Sequence, residues 1–201
     1  MPSKSKNKGS TFERFISKSL NEIFETDCFS RTFGSGAFVG KTNWDKRKGM
    51  STDLKNALSG DVIVPDWFPF NIECKHYDDS PIYHNLLSPT GDSKLNEWLG
   101  KSINDAIKTN TIPMVIFKTT RKITCVVIPM NFLLLLPPTV TSYVIYNGFI
   151  VLHYDFFKEH IKSIVETLSD ATIREGYVNY SIERAQDEND VFSKLNKLFN
   201  K

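Results

Sequence analysis

The hexapeptide NIECKH, residues 71–76, sets a glutamate and a lysine two residues apart in a stretch that otherwise reads as a strand. Side chains on a strand point to opposite faces in turn, so Glu73 and Lys75 share one face. Ile72 and Cys74 share the other, which by composition is the core face. Twelve residues upstream of Glu73, Asp61 opens the apolar run DVIV just after Gly60. A hairpin pairing 61–64 with 70–75 would set Asp61 beside Glu73. Two converging carboxylates make a hard oxygen-donor site of the kind Mg²⁺ takes. A neighbouring ammonium can orient a water or offset the charge that builds during phosphoryl transfer. The plainer alternative is a same-face Glu–Lys ion pair, and E-x-K alone does not separate the two.

Glu13 bears on that choice. The segment STFERFISKSLNEIF has apolar residues at 12, 15, 16, 20, 23 and 24, which is helical spacing. At about 100° per residue, Glu13 falls inside the apolar arc and Arg14 outside it. A carboxylate on a buried flank needs a partner, and a metal centre is one candidate. STFE also fits a capping box, with Ser10 as N-cap and Glu13 three residues later. The second amphipathic segment, KLNEWLGKSINDAIKTN, holds Asn96 inside its apolar arc. That amide points at the site or at a phosphate, or it is a satisfied core amide.

Other chemistries are set aside. GSGAFVGKT resembles a phosphate-binding loop, but the motif ending at Lys41-Thr42 needs glycine at 35, where this chain has Ser35. No nucleotide cofactor is therefore expected. His76, His84, His153 and His160 lack metal-ligand spacing and read as structural, with His76 notable for following the E-x-K strand. Cys28, Cys74 and Cys125 are odd in number and far apart, which fits reduced thiols in a cytoplasmic setting. No apolar run reaches the roughly 18–20 residues that span a bilayer, and no secretory signal is visible in MPSKSKNKGS.

These residues must be positioned by an ordinary globular chain. It has 201 residues, 40% hydrophobic and 24% charged. Net charge is +2, yet residues 1–50 carry ten Lys/Arg against five Asp/Glu. That basic end suits a polyanion, or is simply a solvated tail. The order of elements is a helix, a short strand at CFSRTFGSG, a polar basic loop, two strands across DVIVPDWFPFNIECKH, a second helix, and the apolar strands IPMVIFK and ITCVVIP. SYVIYNGFIVLHY then carries an Asn-Gly hairpin signal, and helices follow near 155–169 and 184–200. Alternating sheet and helix predict an α/β core with a mixed sheet. We expect a flexible basic arm over 1–9, a core over 10–129, and an α+β elaboration over 130–201 packed on it as a single domain.

In order, these pieces resemble the PD-(D/E)xK nuclease superfamily, and within it the archaeal-type Holliday junction resolvases and their phage-encoded relatives. KGSTFER at 8–14 matches the family's Lys-Gly-[Ser/Thr]-x-x-Glu-Arg helix start, and RTFGSG at 31–36 is close to its Arg-x-x-x-Ser-Gly turn. Asp61 and ECK at 73–75 match its Asp and Glu-x-Lys strands, and KLNEWLGKSI and MVIFK its next helix and strand. The likeness covers roughly residues 8–129. It implies a restriction-endonuclease-like fold with a central mixed sheet flanked by helices. It implies that Asp61, Glu73 and the Cys74 carbonyl bind Mg²⁺, with Mn²⁺ able to substitute, and that Glu13 completes the metal shell. Lys75 would position the attacking water. Arg14, Arg31, Ser35, Lys41, Lys46, Arg47, Lys48 and Asn96 would contact DNA, as would the arm residues Lys4, Lys6 and Lys8. The family acts as a homodimer that nicks opposing strands of a four-way junction, here in a bacterial host's cytoplasm if the chain is phage-encoded.

The chain departs from the pattern in places. Its Asp lies in SGD, the loop before it is long and holds DKRK, and Gln or Lys is common where Asn96 stands. The last 70 or so residues have no counterpart in the pattern. Three functions stay open at this point: a junction resolvase, a nuclease of the same superfamily for duplex, flaps or ends, and a non-catalytic DNA-binding protein on that scaffold.

Overall fold

The structure, a computed structural model, describes residues 4–32, 60–78, 91–181 and 183. Helix α1 (Lys4–Phe24) is followed by the short strands β1 (Ser30–Arg31) and β2 (Val62–Ile63). Strand β3 (Phe70–Tyr77), helix α2 (Ser93–Thr109) and strand β4 (Ile112–Thr119) come next. They are followed by β5 (Thr124–Pro129), a 3-10 turn at Met130–Leu134, β6 (Tyr143–Tyr146), β7 (Phe149–His153) and α3 (Tyr154–Thr167). A further helix, α4, covers residues 171–181. The helix expected near 184–200 lies outside the described residues.

Five strands form one mixed sheet in the order β3-β4-β5-β7-β6. β3 and β4 are parallel with Glu73 opposite Val115, which requires the crossover that α2 supplies. The other three pairings are antiparallel. β6 turns into β7 through Asn147 and Gly148, both at positive φ (47° and 73°), the conformation a two-residue hairpin of this twist demands.

Strand register sends alternate residues to two cores. Ile72, Cys74, Met114, Ile116, Val126, Ile128, Ile150 and Leu152 pack under the apolar stripes of α1 and α3. Val115, Phe117, Cys125, Val127 and Val151 pack under Leu95, Trp98 and Leu99 of α2. Both faces of the sheet are thus covered, which is why β4 and β5 read as near-continuous apolar runs. This corrects the expectation of one core face on β3: the face that carries Glu73 is covered as well.

Two further expectations are corrected. First, α1 begins at Lys4, so the stretch expected as an arm is helical from there and Ser10 is an interior residue rather than an N-cap. An ion pair between Lys8 and Asp78 ties these early turns to the end of β3. Of the arm lysines, Lys8 alone has a described side chain. Second, 61–64 does not ladder with 70–75. β2 pairs antiparallel with β1, Arg31 opposite Val62. Pro65 and Pro69, which lack N–H donors, flank the turn between β2 and β3. Asp61 nevertheless reaches β3, because its N–H donates to the Ile72 carbonyl at 2.8 Å.

The elements after residue 130 continue the same sheet. Tyr146 on β6 reaches back to α2: its hydroxyl accepts the Asp92 N–H at 2.8 Å and lies 2.6 Å from the Asn96 Oδ1. Asp92 is the N-cap of α2, accepting the Lys94 and Leu95 N–H groups at 3.1 and 3.0 Å. Beside it, Gly91 (φ +67°) is required, since a Cβ there would stand 2.2 Å from the Tyr146 hydroxyl. Among the described residues no helix is long and apolar enough to cross a membrane.

Candidate active site

Asp61 is held at the open edge of β3 from three directions. Its carbonyl accepts the Thr32 N–H at 3.1 Å and its own N–H donates to Ile72. Its Oδ2 accepts the Cys74 N–H at 2.8 Å. Gly60 makes this approach possible: it sits at φ +79°, and a Cβ there would meet the Ile72 carbonyl oxygen at 2.7 Å. The N–H and C=O of one strand residue point to the same side, so the Cys74 carbonyl also faces this edge.

Glu73 is 1% exposed, on the α2 face. Such a charge must be compensated, and two lysines do so. Lys75, from the same strand, bonds Glu73 Oε1. Lys101, from α2, places its Nζ 2.6 and 2.7 Å from the two Glu73 oxygens. Burial works against the Lys75 ammonium, but the fields of Glu73 and Asp61 outweigh it and raise its pKa. The Asp61 carboxyl is pushed up to about 6, chiefly by burial and next by the Glu73 charge. The two carboxylates therefore lie in one field, as their types and spacing suggest.

Glu13 is buried on α1 and Arg14 is exposed, as the helical wheel requires. The Glu13 carboxylate forms an ion pair with the Arg31 Nε. Arg31 thus turns inward to Glu13 with its side chain 27% exposed. The field of Glu13 still reaches Cys74: burial first, then Asp61, Glu73 and Glu13, hold that thiol well above its ordinary pKa. Arg14, Lys18 and Arg31 line an open groove of about 620 Å³ along α1 and β1, together with Glu22, Glu25 and Asp27.

Asn96 lies elsewhere. Its Oδ1 is bonded by the Tyr146 hydroxyl and by Asn147 Nδ2 at 3.1 Å, so the amide joins α2 to the β6–β7 turn. This is the core-amide reading of the two that its helix position allowed. Ser35, Lys41, Lys46, Arg47 and Lys48 lie outside the described residues. Lys101 is the residue that sequence reasoning missed. It stands on the polar flank of α2, and nothing in its neighbourhood along the chain marks it apart from Lys94 or Lys108.

Among the described residues no group of three or more His, Cys, Asp or Glu side chains is arranged to hold a metal ion. The pair itself nonetheless has the right chemistry for one. Two oxygen donors of like charge, with a backbone carbonyl at the same edge, suit a hard dication that would offset their repulsion.

The family model described as "phage putative PDDEXK endonuclease" matches residues 4–179. No curated protein and no solved structure matches the chain.

Proposed function

The chain belongs to the phage PDDEXK endonuclease family, and from that premise we propose that it is a Mg²⁺-dependent, structure-specific endodeoxyribonuclease that resolves four-way DNA junctions by paired nicks. PD-(D/E)xK nucleases generally use divalent metals. The observation that carries the proposal is the convergence of Asp61 and Glu73 in one field, with Lys75 bonded to Glu73, at the edge of the sheet. The ordered likeness of KGSTFER, RTFGSG, Asp61 and ECK to the junction resolvases supports the choice of a branched substrate.

In this mechanism Asp61, Glu73 and the Cys74 carbonyl would hold the ion. Mg²⁺ there would supply Lewis-acid polarisation of the phosphate and a lowered pKa for the attacking water. Lys75 orients that water and offsets charge on the phosphate oxygens, where its fixed position costs no reorganisation. Lys101 shares Glu73 and holds its carboxylate between strand and helix until the ion takes its place. Glu13 acts from behind, fixing Arg31 and β1, on which Asp61 is hung through the Thr32 N–H. Arg14 meets the DNA backbone from its exposed place on α1, and Ser35, Lys41, Lys46, Arg47 and Lys48 add phosphate contacts. Two copies form a homodimer that presents two sites to opposing strands, in the host cytoplasm.

The test is a gel assay of a labelled four-way junction and a matched linear duplex, with Mg²⁺ or EDTA, for the wild type and Glu73→Ala. Paired nicks in the junction only, absent with EDTA and in the variant, are the expected result. Cleavage of the duplex as well would make it a broader nuclease of the same superfamily. Binding without cleavage of either would replace the catalytic reading with a DNA-binding scaffold.

A further inference from the structure

A second concavity lies on the opposite face of β3 from Glu73, where the early turns of α1 cross the ends of β3 and β4. It is an open hollow of about 380 Å³ lined by Lys8, Thr11, Phe12, Phe15, His76 and Lys118. Three features set it apart from a packing defect. Phe15 is 51% exposed, on a helix whose other aromatic residue here, Phe12, is buried. Lys118 stands with its Nζ 6.0 Å from the centre of the Phe15 ring, on the strand position directly opposite His76. The His76 Nε2 is buried with no hydrogen-bond partner among the described residues, although its ring is fixed edge-on against Phe12 at 5.6 Å. A buried ring nitrogen left unpaired is costly unless something else comes to it.

The charges narrow what that is. Lys8 is engaged by Asp78, so among the described residues Lys118 carries the positive charge of the concavity that no carboxylate pairs. A flat apolar ring, a cation beside it and an unpaired imidazole nitrogen are what one nucleotide needs: a surface for the base, a charge for its phosphate, and a group for the base edge. The volume falls in the range of ordinary small-ligand sites. We infer that this concavity takes a single unstacked nucleotide of the bound DNA, with its base on Phe15, its phosphate at Lys118 and its base edge at the His76 Nε2. The inference rests on the proposed DNA substrate and adds to it a means of telling a branch point, where bases come unpaired, from continuous duplex. Duplex bases stay stacked and do not enter. Lys118 leaves the ring as the base arrives and moves to the phosphate.

The experiment is fluorescence anisotropy in EDTA, so that nothing is cut. It uses two labelled duplexes that differ only in one extra unpaired thymidine. Wild-type protein is expected to bind the bulged duplex about tenfold more tightly, the scale of one base–aromatic stack. Phe15→Ala is expected to lose that preference while keeping its affinity for the matched duplex, which also shows that the variant is folded. Phe15→Tyr, which keeps the ring, is expected to retain the preference. Equal affinity of the wild type for both duplexes, or an unchanged preference in Phe15→Ala, would overturn the pocket and leave the nuclease reading standing. Failure of the wild type to bind either duplex while it binds a labelled four-way junction would overturn the pocket alone, and failure to bind the junction as well would overturn the DNA reading itself.

Discussion

Lys101 and Glu73 are joined by two hydrogen bonds, 2.6 and 2.7 Å, although they lie on different elements 28 residues apart. The helix and the edge strand are therefore connected through the acidic group of the site. Lys101 occupies the same oxygens that a metal ion would take from Glu73. Lys101→Ala is accordingly expected to bind Mn²⁺ several-fold more tightly. That corresponds to about 1 kcal/mol for a cation that is 46% exposed and so partly screened. Calorimetric titration checks it, and weaker binding in the variant would show that Lys101 does not compete with the metal.

Asp61 gives a prediction with an opposite sign for stability and activity. Its folded pKa, about 6, lies above the ordinary 3.8, so the folded state holds the proton that the unfolded state has already released. Stability from this group is full below about pH 4 and is lost as pH rises through 6. Asp61→Asn should therefore make the metal-free protein more stable at pH 7, by on the order of 1–3 kcal/mol, while abolishing cleavage. Urea unfolding in EDTA from pH 4 to 7 should show the two proteins diverging across that window. Parallel curves would mean that the charge on Asp61 is not strained.

Glu13 and Arg31 are an unequal pair. Glu13 is buried, so Arg31→Ala leaves a carboxylate without its partner and should cost about 2–4 kcal/mol. Glu13→Gln leaves only a partly exposed guanidinium and should cost under about 1 kcal/mol. A double-mutant cycle by chemical denaturation measures the difference, and equal costs would refute the asymmetry.

Gly60 fixes how near Asp61 comes to the strand. Gly60→Ala places a methyl 2.7 Å from the Ile72 carbonyl at a backbone angle of +79°. The chain must retreat from β3, at a cost of at least about 2 kcal/mol. Metal binding should fail at the same time, as titration of the folded variant would reveal. Unchanged metal affinity would show that the Asp61–Cys74 bond is not what sets the site.

The main elements were legible because their patterns are local. Phe12, Ile16 and Leu20 mark the buried stripe of α1, Asn147-Gly148 marks the β6–β7 hairpin, and the apolar runs of β4 and β5 mark strands covered on both sides. Strand alternation alone put Glu73 and Lys75 on one face, and there they are bonded to each other. What stayed hidden depends on partners remote in the chain. The pairing of β2 with β1 could not be read, because each is only two residues long. The helical start at Lys4 was masked by Gly9 and Ser10, which elsewhere signal an end or a cap. Lys101 looked like any solvated lysine until the crossover laid α2 over β3. Asn96 found its partners in a hairpin some 50 residues later.

The hydroxyl of Tyr146, seated where Gly91 has no side chain, makes this molecule non-modular along its chain. The motifs read from the sequence end near 129, whereas the family match runs on to 179, and the helix that delivers Lys101 to Glu73 is capped with help from beyond 129. A shortened gene that stops at 129 would keep every acidic residue of the site and lose the hold on the start of α2. The later strands are thus a gauge for the earlier ones.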